Sequence, residues 1–253
     1  MQTLLALAQK DRFKGKRRFF GATIGLCEPT PRGGGCSLWF SETPSERAEE
    51  SSVYVGSVAY FEVSWIKNQS ASARSQVSRA QRKGLRFDLR RSGESCPYED
   101  MRGLFETWRK DKLFLVGYLL QLPLMAPILT YDCIFLWRGD RLVGFAPLIV
   151  HGNFVFIENF YRHNSLPNGS LPFLVQKTIE AYQKPITFGL SPNISFLPKT
   201  AQVLLSLVYN FSGLAKARQN LRPSRETSIF LHYPGNWSRL SLSLYLTLLL
   251  LND

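Results

Sequence analysis

Few residues in this chain suit metal binding or covalent catalysis. The four cysteines (Cys27, Cys36, Cys96 and Cys133) form no Cys-x-x-Cys pair, and only three histidines accompany them. That scatter excludes the common zinc spacings and fits reduced thiols in a cytosolic protein, so no metal is expected. No Gly-x-Ser-x-Gly element is present, which removes the usual frame of a serine hydrolase. Gly33-Gly34-Gly35 is followed by no Gly-Lys-Ser/Thr and so is not a phosphate loop. The Arg/Gln-x-x-Gly-x-Gly/Ala loop that cradles the pyrophosphate of coenzyme A is also missing before a helix.

Uninterrupted apolar runs are scarce too. Residues 113–137 are strongly apolar, but Pro123 and Pro127 break a helix there, and Gln121 and Asp132 interrupt the run. An apolar loop leading into a strand at 133–137 is expected instead. In it, residues 119–128 serve either as an acyl-chain groove or bilayer contact, or as plain core. The apolar tail, 240–251, is too short to span a bilayer and reads as a helix packed on a sheet. The first 20 residues lack the charged-then-apolar order of a signal peptide. Acidic residues are the last shortage: 19 against 31 lysines and arginines, a net charge of +12. Such an excess points to a polyanionic partner, either nucleic acid or an anionic membrane surface.

What is present is the pattern of an α/β domain. Residues 1–50 read as an irregular N-terminal segment, and 51–253 as the domain. Residues 53–56 form a strand, and Trp65 packs at the start of the next helix. Residues 66–84 form a basic amphipathic helix, with Ala73, Val77 and Ala80 on one face. Lys67, Arg74, Arg79, Arg82 and Lys83 lie on or beside the other, with no acid at four-residue spacing, and are the candidate polyanion-binding residues. An ordinary solvated face is the alternative. Residues 98–112 form a further helix, with Met101, Leu104, Phe105 and Trp108 inward. Arg138-Gly139-Asp140-Arg141 is a tight hairpin turn before a strand at 142–150.

The stretch 153–192 organises the rest. A strand at 154–157 leads to a polar corner with Glu158, Asn159, Arg162, His163 and Asn164. Pro167-Asn168-Gly169 turns the chain, and Ser170 is placed to cap a helix over 171–183. A strand at 186–190 ends at Ser191-Pro192. Polar groups on a turn at a helix N-terminus can receive an anion or a developing negative charge. A helix is then expected at 201–209 and a strand at 228–232.

YDCIFLWRGDRLVGFAPLIV, IENFYRHNSLPNGS and FGLSP, in this order, resemble the C-terminal domain of phosphatidylglycerol lysyltransferases. SARSQVSRAQRKGLRF upstream and YNFSGLAKARQNLRP downstream extend the resemblance to about residues 53–240. It implies a mixed α+β, GNAT-like acyltransferase fold: a central mixed sheet flanked by helices, with the family's first lobe reduced or missing. It implies transfer of an amino acid, lysine or another basic residue, from aminoacyl-tRNA to a phospholipid such as phosphatidylglycerol. Charged tRNA is then the donor substrate, no cofactor is needed, and the chain works in the cytoplasm at the inner face of the membrane. Whether a separate membrane flippase takes part stays open.

The family's arginine before its Pro-Asn-Gly turn corresponds to Arg162, a catalytic candidate whose alternative role is an ion pair with Glu158. The family's acid three residues earlier is replaced by Asn159, which leaves Glu158 as the candidate proton acceptor. Asn168, Gly169, Ser170, Ser191 and Arg218 are the candidate substrate-binding residues, and Asn220 stands where the family has its second basic residue. Two other readings remain at this point: an acyl-CoA-dependent N-acyltransferase, or a non-catalytic basic module that binds RNA or membrane.

Overall fold

The computed structural model describes residues 17–19, 22–24, 37–42, 50–110, 128–129, 131–157, 160–193 and 219–234, with a few single positions between. Two compact units divide the chain: Met1–Val58, Gly189–Phe211 and Glu226–Asp253 form one, and Ala59–Phe188 with Ser212–Arg225 forms the other.

In the first unit, β1 (Arg17–Phe19) and β2 (Ala22–Ile24) are antiparallel, and β2 runs parallel to β3 (Ser37–Ser41). The order continues through β11 (Arg225–Pro234) and β4 (Glu50–Phe61) to the end of β10 (Ile186–Pro192). The strand expected at 53–56 is thus far longer. Gly56 and Ser57 broke the apolar pattern that marks a strand, but the backbone runs through them. Gly56 has φ +146°, and a Cβ there would lie 2.2 Å from the Ser191 carbonyl oxygen, so only glycine lets β10 come this close. The Asn193 N–H donates to Val55 O at 2.7 Å.

The second unit carries the stretch 153–188. Its strands lie in the order β10, β8 (Val155–Ile157), β7 (Arg141–Val150), β6 (Asp132–Arg138), β5 (Leu85–Arg90), and β9 (Tyr161–Arg162) pairs with β7 beyond β8. β5, β6, β7 and β8 are antiparallel in turn, while β8 and β10 are parallel, with Ile186 opposite Val155 and Thr187 opposite Phe156. The two expected strands therefore share one sheet. Between them crosses α4 (Ser170–Tyr182), as parallel neighbours require. It ends where Gln183 turns left-handed, just before Lys184-Pro185.

Both faces of this sheet are covered, as its continuous apolar strands demand. On one side Ile134, Leu136, Val143, Ala146 and Leu148 pack with Leu174, Val175 and Ile179 of α4 and with Val77 and Ala80 of α2 (Ala71–Arg82). On the other, Phe135, Leu142, Phe145 and Tyr161 meet Met101, Leu104 and Phe105 of α3 (Tyr98–Lys110). Trp65 opens α1 (Trp65–Asn68), is 2% exposed and donates from Nε1 to the carbonyls of Leu221 (3.0 Å) and Arg222 (3.2 Å).

The single basic helix expected over 66–84 is two helices. Ser70 is extended (ψ 154°), and its Oγ accepts from the Ala73 N–H at 3.1 Å, so a new helix is capped there. Gln69 is buried and reaches Gln176 of α4 at 3.1 Å. The apolar loop at 113–127 and the tail at 240–251 lie outside the described residues, as does most of 201–209. Among the described residues no helix is long and apolar enough to cross a membrane.

Candidate functional site

One end of the sheet in the second unit carries Arg162 and the turn with Asn168, Gly169 and Ser170. β8 and β9 occupy one lane beside β7: Ile157 faces Leu148, then Tyr161 faces Phe145 and Arg162 faces Gly144. The carboxyl end of this lane is followed by the turn at 163–169 and the N-terminus of α4. In open α/β sheets, crevices at the carboxyl ends of parallel strands are where ligands bind. Arg162 is exposed there, and among the described residues no ion pair or hydrogen bond reaches its guanidinium. Its backbone position is fixed by the ladder to β7, which the His163 N–H extends to Val143 O at 2.9 Å.

The turn itself is built differently from expectation. Gly169, with φ +94°, is the N-cap of α4, and no side chain caps the helix. Ser170 lies inside the first turn, 3% exposed, and its hydroxyl donates to Pro167 O. Ser170 sits one position after the cap, and its N–H also donates to Pro167 O, at 3.2 Å. Pro172 contributes no N–H, so Leu171 is the residue within this first turn whose N–H has no described partner. Asn168 is exposed on the same turn. Gly169 is required twice over: by its left-handed backbone, and because a Cβ would sit 2.2 Å from the Gln76 carbonyl oxygen of α2. Gly169→Ala is expected to destabilise the protein by about 1–3 kcal/mol, read as a lowered urea midpoint at unchanged slope.

Through this contact the end of α4 rests on α2, whose described surface is serine, glutamine and arginine with no acid. Arg79, Arg82 and Lys83 are exposed and without described side-chain partners. Arg74 instead folds back, donating from Nη1 to Gln69 O at 2.5 Å, and so is partly committed to the junction of the helices. Lys67 is exposed on α1. Ser191 belongs to the first unit, where its carbonyl meets Gly56. Glu158, Asn159 and Arg218 lie outside the described residues, while Asn220 is exposed.

The strand register adds residues that sequence patterning did not single out. Arg138 pairs with Arg141 across the Gly139-Asp140 hairpin turn, and also with Leu85 at the start of β5. Arg86 follows, donating to Gly139 O and lying 3.8 Å from Asp140. Arg141 reaches His163 Nε2 at 2.9 Å, and His163 Nδ1 faces Ser165 Oγ at 2.7 Å. The Ser165 N–H also points at Nδ1, at 3.0 Å; the arginine and this amide can both only donate, so they compete for the single accepting nitrogen of a neutral imidazole. His163 thus lies against Arg141 on one side and the Ser165 amide on the other.

Away from this end, Asp132 anchors the other edge. It accepts from Tyr182 Oη, Arg91 Nη1 (2.8 Å) and the Ser92 N–H (2.9 Å), and Arg91 stacks on the Tyr182 ring at 4.4 Å. Burial raises the Asp132 carboxyl, but the bonds from Tyr182, Ser92 and Arg91 outweigh it and hold it below its ordinary range. Burial and the bond to Asp132 push the Tyr182 hydroxyl up. A carboxyl depressed in the folded state adds stability above its unfolded pKa of about 3.9, lost as pH falls through the folded value. Wild type is expected to lose thermal stability more steeply than Asp132→Asn on acidification below about pH 4, measured as unfolding midpoints across pH 2–6.

Residues 67–233 match the family described as phosphatidylglycerol lysyltransferase, C-terminal. The chain belongs to this family. Among solved structures, L-PGS from Bacillus licheniformis superposes with a TM-score of 0.63 at 16% identity, over 85% of this chain and 73% of that one. The C-terminal domain (DUF2156) of a putative lysylphosphatidylglycerol synthetase from Agrobacterium fabrum gives 0.56 at 17% identity, over 87% and 72%. A conserved protein of unknown function from Bacteroides thetaiotaomicron gives 0.53 at 10% identity, over 79% and 70%. Compared with curated protein sequences, the chain finds no match.

The phosphatidylglycerol lysyltransferase family is a family of transferases, and the mixed α+β sheet with helices on both faces is the fold that the sequence resemblance implied. Within this lysyltransferase-family chain the described thiols are poor nucleophiles. Burial pushes both Cys96 and Cys133 above the ordinary thiol value, so little thiolate forms near neutral pH.

Proposed function

We propose that this chain transfers an aminoacyl group from a charged tRNA to a hydroxyl of an anionic phospholipid, phosphatidylglycerol being the first candidate and lysine, or another basic amino acid, the group moved. The observation that carries the reading is the exposed Arg162 at the carboxyl end of β9, beside the opening of α4, in a chain of the lysyltransferase family. The reaction exchanges one ester for another: the lipid oxygen bonds to the aminoacyl carbonyl carbon, the bond to the tRNA ribose oxygen breaks, and a proton passes from the lipid hydroxyl to that ribose oxygen. An activated ester needs positioning, a proton acceptor and charge stabilisation rather than a covalent relay. In this proposal Arg162 forks onto a phosphate or the developing oxyanion. Asn168 and the Leu171 N–H lie on the turn that would receive the same charge. Glu158 takes the lipid proton, and Arg218 contacts substrate.

Arg79, Arg82 and Lys83, with Lys67 and Arg74, supply the polyanion grip, and the chain acts at a membrane surface on the cytoplasmic side. The acyl-CoA reading has no feature in its favour among the described residues.

The test is to incubate the full chain with a mixed pool of charged tRNAs and phosphatidylglycerol vesicles, and to analyse the extracted lipid by mass spectrometry. New aminoacylated species that vanish when the tRNA is deacylated beforehand are expected. Unchanged lipid with an intact tRNA pool would remove the proposal.

A further inference from the structure

The cations at the turn end of this sheet come from four neighbouring lanes, far apart in sequence. Arg82 and Lys83 close α2 and lead directly into β5, which carries Arg86. Arg138 ends β6, Arg141 begins β7 and Arg162 ends β9, all exposed. Strand pairing sets Arg138 opposite Arg141, and the ladder between β7 and β9 brings the chain past Arg162 to His163, which lies against Arg141. Asp140 is the one acid in these strand ends, and among the described residues it pairs, at 3.8 Å, with Arg86. Neighbouring strands lie about 4.8 Å apart, so the four lanes span about 14 Å. That is too wide for one phosphate group and suits several along a backbone.

We propose that this end of the sheet, with Arg138 and Arg141 at its centre, is the docking surface for the phosphodiester backbone of RNA. It rests on the reading of the donor as a charged tRNA, and extends it to residues that the basic helix does not include. Arginine forks match phosphate oxygens in pairs, so exposed guanidiniums on adjoining strand ends suit successive phosphates. RNA is favoured over a membrane because peripheral membrane contacts combine cations with exposed apolar side chains. The large apolar residues exposed among those described are Tyr54, Val63, Ile128, Val150 and Val203. None lies among these strand ends. Val150 is at the opposite end of β7 from Arg141, about 30 Å away for a strand of this length.

The experiment measures binding of the full chain to one unacylated tRNA transcript, and separately to phosphatidylglycerol vesicles, over a range of salt. The variant carries Arg138→Glu with Arg141→Glu; a second carries Arg138→Gln with Arg141→Gln, in case charge reversal perturbs folding. Unfolding midpoints check each. The expected result is a loss of tRNA affinity of at least tenfold in the first variant. In the second, the slope of log affinity against log salt should be shallower by about 1.5, the loss of two phosphate contacts. Vesicle binding should be nearly unchanged in both. Wild-type tRNA affinity in both variants overturns the proposal, as does a loss confined to vesicles, which assigns the surface to the membrane. If the wild type binds tRNA and both variants bind it equally well, this surface fails and the donor reading survives. If the wild type binds no tRNA, the donor reading and this surface fail together.

Discussion

Arg162→Ala is expected to lower aminoacyl transfer at least about tenfold, equivalent to roughly 1.4 kcal/mol of transition-state stabilisation. What holds the backbone at Arg162 is the ladder of β9 on β7, and alanine keeps that ladder. The guanidinium is exposed and has no described partner, so the fold loses little with it. The unfolding free energy should change by less than about 0.5 kcal/mol, as for most surface substitutions. Activity and stability are thereby separated. Arg162→Lys is the finer probe. It keeps the charge but not the planar fork, so a two-point contact with substrate predicts loss there as well. A fall mainly in kcat would place the contact in the transition state, and a rise in KM alone would place it in binding. Transfer that survives Arg162→Ala moves the reacting centre elsewhere.

Trp65→Ala carries the largest expected cost in stability, about 3–5 kcal/mol for truncating a buried tryptophan. Trp65 stands at the start of α1, edge-on to Phe61 at 5.6 Å, and its indole N–H ties two carbonyls of the segment at 221–222. Removing it leaves a cavity and two carbonyls with one donor fewer. Trp65→Phe retains most of the packing but not the hydrogen bond, and should cost about 1–3 kcal/mol. Denaturant midpoints of the two variants separate packing from hydrogen bonding. Equal losses would show that the indole N–H is the dominant part.

The β8–α4–β10 unit was legible because its signals are local: an apolar strand, a Pro-Asn-Gly turn, an amphipathic helix and a second strand after proline. The hairpin at Gly139-Asp140 was legible for the same reason, and Ala73, Val77 and Ala80 do form the buried face of α2. Three features escaped. β4 passes through Gly56 and Ser57, which locally read as a strand end; the reason for glycine is a carbonyl of Ser191, some 135 residues later. The break between α1 and α2 had a signal, a serine three residues before Ala73, but Ile66 to Gly84 also fits one continuous periodicity. Ser70 wins because its hydroxyl satisfies an N–H that a continuous helix would leave to a carbonyl. The turn after β9 suggested a serine cap, yet the contact with Gln76 requires glycine at the cap position and sends Ser170 inward.

The cationic end of the sheet is the plainest case of information absent from local sequence. Arg86, Arg138, Arg141 and Arg162 are spread over 77 positions, and only strand register places them side by side. Each alone is an ordinary charge at a strand end. His163, one residue of the polar corner in the sequence, is brought by the same register to lie beside Arg141.

The most direct measurement of aminoacyl transfer uses a single radiolabelled lysyl-tRNA, phosphatidylglycerol vesicles and the full chain in a single turnover, with acetyl-CoA as the alternative donor in a parallel reaction. Label should move from the aqueous to the organic phase only from the tRNA, at a rate lowered at least about tenfold by Arg162→Ala. No organic-phase label from lysyl-tRNA, or from any other charged tRNA tried in its place, or label arriving from acetyl-CoA instead, would contradict it.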